Sequence, residues 1–78
     1  MRKRLLIIGA SDSSGGAGIK ADIDTLSAFG FEGSIAITSV TAQTNHQLIC
    51  KYPVPNQILL EQLKASEGTL IDGIKIGL

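Results

Sequence analysis

Gly9 to Asp24, reading GASDSSGGAGIKADID, is the stretch that decides the fold. A short apolar run, Leu5 to Ile8, precedes it, and a helical pattern reaching Phe29 follows it. An apolar run, a glycine-rich polar loop and then a helix make the first turn of an α/β sheet protein. In such sheets the loop leaving the carboxyl end of a strand lies at the ligand crevice. Ser11, Asp12, Ser13 and Ser14 supply hydroxyls and a carboxylate. Gly15, Gly16 and Gly18 let the backbone take positive φ or approach a ligand closely. N–H groups entering the helix near Gly16 lack intrahelical acceptors and can serve an anion or a hydroxyl. The plainer alternative is a βα connection capped by Ser13 or Ser14. Glycine at three of the four positions 15–18 exceeds what a cap needs, which favours a ligand loop.

Two familiar phosphate motifs do not fit. A P-loop requires Gly-Lys-Ser/Thr, whereas Lys20 here lies between Ile19 and Ala21. Gly16, Gly18 and Ala21 match G-x-G-x-x-A, but six residues, Ala10 to Gly15, separate Gly16 from the strand end at Gly9. The dinucleotide fingerprint needs its first glycine in the tight turn itself.

Outward from the loop, Leu5 to Gly9 reads as a central parallel strand covered on both faces. A helix is predicted from about Gly16 to Phe29, with Ile19, Ile23 and Leu26 on one face and Gly30 as its C′ glycine. Asp22 breaks the pattern. At about 100° per residue it points between Leu26 and Phe29, the edge of the apolar face. A carboxylate there needs a partner such as a loop N–H or a lysine, or else it is a functional group aimed at the carboxyl end of the sheet. Ser34 to Thr41 alternates and is rich in β-branched residues, hence a second strand and a βαβ unit with a right-handed crossover. The loop after it carries Gln43 to the same end of the sheet as the glycine loop. An amide offers donor and acceptor together, which suits a heteroaromatic edge or a sugar hydroxyl; a solvated loop glutamine is the plainer alternative. Gln47 to Val54 reads as a short strand, with Pro53 marking its end or an edge. Pro55 suits the first position of a helix that runs to Glu67 and buries Leu59 and Leu63. Leu70 to Leu78 reads as a last strand. Two helices cannot cover four strands on both faces, so the sequence is expected to be the amino-terminal part of a larger α/β protein, its uncovered sheet prone to aggregation.

Composition narrows the function classes. Seventy-eight residues make at most one small domain, here 1–78. Net charge is zero and the only basic block is Arg2-Lys3-Arg4, which argues against a nucleic-acid surface. Phe29, Phe31 and Tyr52 are too few for a base-stacking platform. No segment approaches the roughly 20 apolar residues that span a bilayer, and the basic start before Leu5 imitates a signal peptide only weakly. The single cysteine, Cys50, fits a reducing, cytoplasmic compartment and is expected as an ordinary packed thiol. Cys50 and His46 alone do not make a zinc site.

Taken together, IIGASDSSGGAGIKADIDTLSAFG, ITSVTAQT, VPNQILLEQL and DGIKIGL resemble the hydroxymethylpyrimidine and phosphomethylpyrimidine kinases of thiamine biosynthesis, within the ribokinase-like superfamily. The resemblance covers nearly the whole chain. The glycine loop and the Ala42-Gln43 dipeptide are its most specific parts. It implies an α/β fold: the amino-terminal, βαβ-containing part of a three-layer αβα sandwich. It implies a small-molecule pyrimidine substrate bound between the loop and the second strand's end. Gln43 matches the family's pyrimidine-binding glutamine; Ala17, Asp22 and Thr41 match pocket positions, Gly16 lies in the matching loop, and Leu78 falls where a methionine often approaches the ring. The family uses ATP and Mg2+, whose sites and catalytic base lie in a carboxyl-terminal half that this sequence lacks. No catalytic residue is therefore assigned here. The resemblance also leaves room for a homo-oligomer in the full-length family. Ala10 and Lys20 depart from the family's usual Gly and Gln. A pyridoxal or pyridoxine kinase of the same superfamily, and an inactive truncated product, are the alternatives.

Overall fold

A computed structural model describes residues 2–77. Its elements are β1 (Arg4–Asp12), α1 (Gly18–Ala28), β2 (Glu32–Gln43), β3 (Leu48–Pro53), α2 (Asn56–Ser66) and β4 (Gly73–Ile76). The four strands form one mixed sheet in the order β3-β2-β1-β4. β1 pairs in parallel with both β2 and β4, and β3 adds to β2 antiparallel. The chain therefore leaves β1 toward β2 and later returns to the other side of β1. That reversal puts a topological switch point at the carboxyl end of β1.

The core belongs to the βαβ unit. Leu6 and Ile7 are adjacent in β1 and 5% and 1% exposed. Neighbouring strand residues point to opposite faces, so this strand is covered on both, as its unbroken apolar run predicts. Ile19 of α1 and Ala36 of β2 complete the buried apolar set. α1 packs on β1 and β2, with Ile23 and Leu26 directed at Gly33, where a side chain would obstruct them. The helix ends in a Schellman turn. Gly30 takes φ of +79°, its N–H bonds the Ser27 carbonyl at 3.1 Å, and the Phe31 N–H bonds the Leu26 carbonyl at 2.9 Å.

The outer elements depart from expectation in instructive ways. α2 begins one residue later than predicted, with Pro55 as N-cap, and Leu59 and Leu63 are only half-buried. α2 is fastened to β2 through a side chain. The Gln62 amide accepts from the Ile37 N–H at 2.8 Å and donates to the Ile37 carbonyl at 2.9 Å. It thereby pairs the backbone edge of β2 just before β3 takes over at Ser39. β3 is an edge strand ending at Pro53, and every residue in it is exposed. Cys50 is therefore not the packed thiol expected but an exposed one, because nothing lies over this strand. β4 is shorter than the Leu70–Leu78 run suggested; Leu70 is exposed, and Ile74 and Ile76 are 62% and 67% exposed.

Candidate functional site

The loop after β1 is ordered by its own side chains. The Asp12 carboxylate accepts from the Ser14 N–H at 2.8 Å and the Ser14 hydroxyl at 2.7 Å, and the Gly15 N–H bonds the Asp12 carbonyl at 2.9 Å. The Ser14 hydroxyl, helped by the backbone N–H groups of Ser14 and Ala17 and by the Gln43 side chain, holds the Asp12 carboxyl below its ordinary pKa against a smaller opposing effect of burial. Ser13 does not cap the helix. Its hydroxyl accepts from the Gln43 N–H at 2.8 Å and donates to the Gln43 carbonyl at 3.2 Å, stitching the loop to the end of β2. The N-cap of α1 is Ala17, and no side chain bonds there. The plainer alternative of a serine-capped connection is thus not what forms: Ser13 and Ser14 serve the loop, and among the described residues no side chain caps the first turn of α1.

Gly18, the first residue of α1, is the glycine the turn cannot do without. It has φ of +68°, and a Cβ there would collide with the Ala10 carbonyl oxygen. Its bareness lets the helix start press against the end of β1.

A cavity of about 270 Å³ opens where these pieces meet. Ala10 and Asp12 from β1, Ala17, Gly18 and Asp22 from the start of α1, Gln43 from β2, and Lys75 and Gly77 from the β4 side line it. A second cavity of about 420 Å³ adjoins it across Ala10, Gln43 and Gly77 and is lined also by Thr41 and Lys51. Both lie at the carboxyl ends of the parallel strands. Asp22 finds the partner its position demanded: Lys75 of β4 donates to its Oδ1. The Asp22 side chain is 21% exposed and Lys75 55%, so the pair bridges α1 and β4 at the cavity wall.

Of the residues singled out in the sequence, Ala17, Asp22 and Gln43 line one cavity and Thr41 the next. Gly16 lines neither; it stands at the same end of the sheet, beside Ser14 and Asn45. Leu78 lies outside the described residues. Asp12 and Gly18, read in the sequence only as parts of the ligand loop, also border the cavity, and so does Lys75, which the sequence analysis did not name. A carboxylate inside the glycine loop was a usable signal for Asp12; Lys75, 53 residues from Asp22, left none. Among the described residues no group of three or more His, Cys, Asp or Glu side chains is placed to hold a metal ion. Among the described residues no helix is long and apolar enough to cross a membrane.

Comparison with known proteins first defines the class. A crystal structure of phosphomethylpyrimidine kinase from Clostridium difficile superposes with a TM-score of 0.92 at 39% identity, over 96% of this chain and 35% of that one. A pyridoxal kinase from Staphylococcus aureus, solved with AMP-PCP and pyridoxal, gives 0.90 at 29% identity over all of this chain and 30% of its own. The fold is that of the ribokinase-like small-molecule kinases. Within that class, the model of the phosphomethylpyrimidine kinase family matches residues 12–78, and the chain belongs to this family. It is 42% identical over 77 residues to the hydroxymethylpyrimidine/phosphomethylpyrimidine kinase of Haemophilus influenzae, and 40% identical over 74 residues to that of Aquifex aeolicus. It spans 29% of the length of each of these relatives.

Proposed function

We propose that this chain carries the pyrimidine-binding portion of a hydroxymethylpyrimidine/phosphomethylpyrimidine kinase. The reaction is ATP-dependent phosphorylation of 4-amino-5-hydroxymethyl-2-methylpyrimidine, then of its monophosphate, in thiamine biosynthesis. In the first step the hydroxymethyl oxygen bonds to the γ-phosphorus, the bond from that phosphorus to ADP breaks, and the hydroxyl proton leaves. The observation that carries the reading is the convergence of Gln43, Asp22 and Ala17 on one cavity at the switch point. Gln43 would read the ring edge and Asp22 would accept from a ring substituent. Ala17 and Gly18 would let the flat ring lie against the backbone, with Gly16 shaping the turn before them. ATP use follows from the family's kinases, and the expected cytoplasmic location from the same source. The described residues do not fit a Mg2+ site by themselves, so none of them is given that role.

Calorimetric titration of the whole kinase carrying this segment with the hydroxymethylpyrimidine tests the reading. Gln43→Ala should weaken binding by about tenfold, the worth of one well-made hydrogen bond in a closed site. Unchanged affinity would remove Gln43 from the pocket. A pyridoxal kinase is the second reading, favoured by the match to the S. aureus enzyme. A substrate panel on the whole kinase separates the two: preference for pyridoxal over the pyrimidine would establish it.

A further inference from the structure

The Gln43 amide has a defined direction, and it is set by a neighbour. The Thr41 hydroxyl donates to the Ser11 carbonyl at 2.9 Å. A carbonyl oxygen only accepts, so the one Thr41 hydroxyl proton is committed there. Thr41 Oγ1 is then available only as an acceptor, and at 3.0 Å it takes a hydrogen from Gln43 Nε2. Were the amide turned over, Gln43 Oε1 would face an oxygen with no proton to give. Asp12 acts in the same sense: its carboxylate, close enough to Gln43 for that side chain to help stabilise its charge, also calls for the N–H end. Thr41 is 7% exposed, so water competes poorly for this relay. Among the described residues no group donates to Gln43 Oε1, although Gln43 borders both cavities.

We propose that Thr41 is a positioning residue that fixes the orientation of the Gln43 amide, so that the site meets its ligand with the acceptor Oε1 and prefers a ring bearing an N–H donor to one bearing a carbonyl. The relay runs Gln43 Nε2–H to Thr41 Oγ1–H to the Ser11 carbonyl, and it ties the choice of ligand edge to a side chain that need not touch the ligand. The ligand half of this inference rests on the aminopyrimidine reading above; the amide half does not.

Two measurements on the whole kinase carrying this segment keep the halves apart. NMR of the Gln43 side-chain amide reads the relay without ligand. One of its two protons should be protected from exchange in the unsubstituted chain and in Thr41→Ser, and unprotected in Thr41→Val, which keeps the shape and removes the hydroxyl. Titration with the 4-amino pyrimidine and its 4-oxo counterpart reads the consequence. The preference for the amino compound should shrink by about three- to tenfold in Thr41→Val, the loss of one hydrogen bond, and return in Thr41→Ser. A merely structural role for Thr41 would weaken both ligands equally, and an unchanged amino-to-oxo ratio overturns the proposal. If the whole kinase carrying this segment binds neither compound, the aminopyrimidine reading fails and so does the stated preference. Amide protection that survives Thr41→Val overturns the relay itself.

Discussion

Gly18 and Gly30 allow the steric demand of the site to be separated from the demand of its backbone angle. Both have positive φ, +68° and +79°. They differ in surroundings: a Cβ on Gly30 meets nothing within 4 Å, whereas on Gly18 it meets the Ala10 carbonyl. Holding alanine in the left-handed region costs about 1–2 kcal/mol. Alanine also stiffens the unfolded chain, which returns about 0.4–1 kcal/mol. Gly30→Ala should therefore destabilise by about 0.5–1.5 kcal/mol. Gly18→Ala carries the same term and must also push the end of β1 away from the helix, a displacement comparable to overpacking at about 1–3 kcal/mol. Its total is about 2–4 kcal/mol. In a domain of this size 1 kcal/mol moves Tm by about 4–8 °C, so the two variants should melt at least about 4 °C apart. Urea and thermal unfolding followed by far-UV circular dichroism read both. Equal destabilisation of the two variants would refute the claim that Gly18 is there for close approach.

Other outcomes follow from single contacts. Gln62→Leu should cost about 1–3 kcal/mol, because it leaves the half-buried Ile37 N–H and carbonyl without their partner. Faster hydrogen exchange across α2 than across α1 would show it; identical exchange in the variant would dismiss Gln62 as the fastening. Asp12 has its carboxyl held low in the folded chain, so its contribution is present in full above the unfolded value of about 4 and disappears as pH falls through the lower folded value. Asp12→Asn should flatten stability against pH in that acid window and leave the curve above pH ~5 parallel to the original. Cys50 should react stoichiometrically with a thiol reagent in the native chain, and Cys50→Ser should leave the melting curve unchanged. Protection of this thiol until unfolding would contradict the exposure of β3.

Local chemistry was legible where a segment's surroundings are its own. The β1-α1-β2 unit followed from an unbroken apolar run, a 3.6-residue stripe and an alternating strand, because each buries its apolar face within the unit. Gly30 was legible for the same reason: a helix end is a short-range event. Asp22 was half legible. Its place on the helix said that it needed a partner, but Lys75 reaches it only through the return of the chain to β1. Cys50 was misread because a place in a strand does not say whether that strand is central or at an edge. The preference for a ligand loop over a serine cap held, but the sequence did not show where Ser13 would go instead: its hydroxyl serves the backbone of Gln43, 30 residues away. The shortness of β4 was hidden for a similar reason: Leu70 is apolar, yet no described neighbour gives it a place to be buried.

The parallel pairing of β4 with β1 sets an order of assembly. The Arg4 N–H meets the Asp72 carboxylate across 68 residues of sequence, while β2 reaches β1 after a single helix. Closing the longer loop costs more chain entropy, and that cost falls due before any of the pairing is gained. The βαβ core of β1, α1 and β2 is accordingly expected to form early, with β4 docking late. Lys75 and Gly77 arrive with β4, so these walls of the recess are in place only once β4 has docked. A molecule that occupies it favours β4 docked over β4 detached, and its concentration becomes a term in how often that strand lets go.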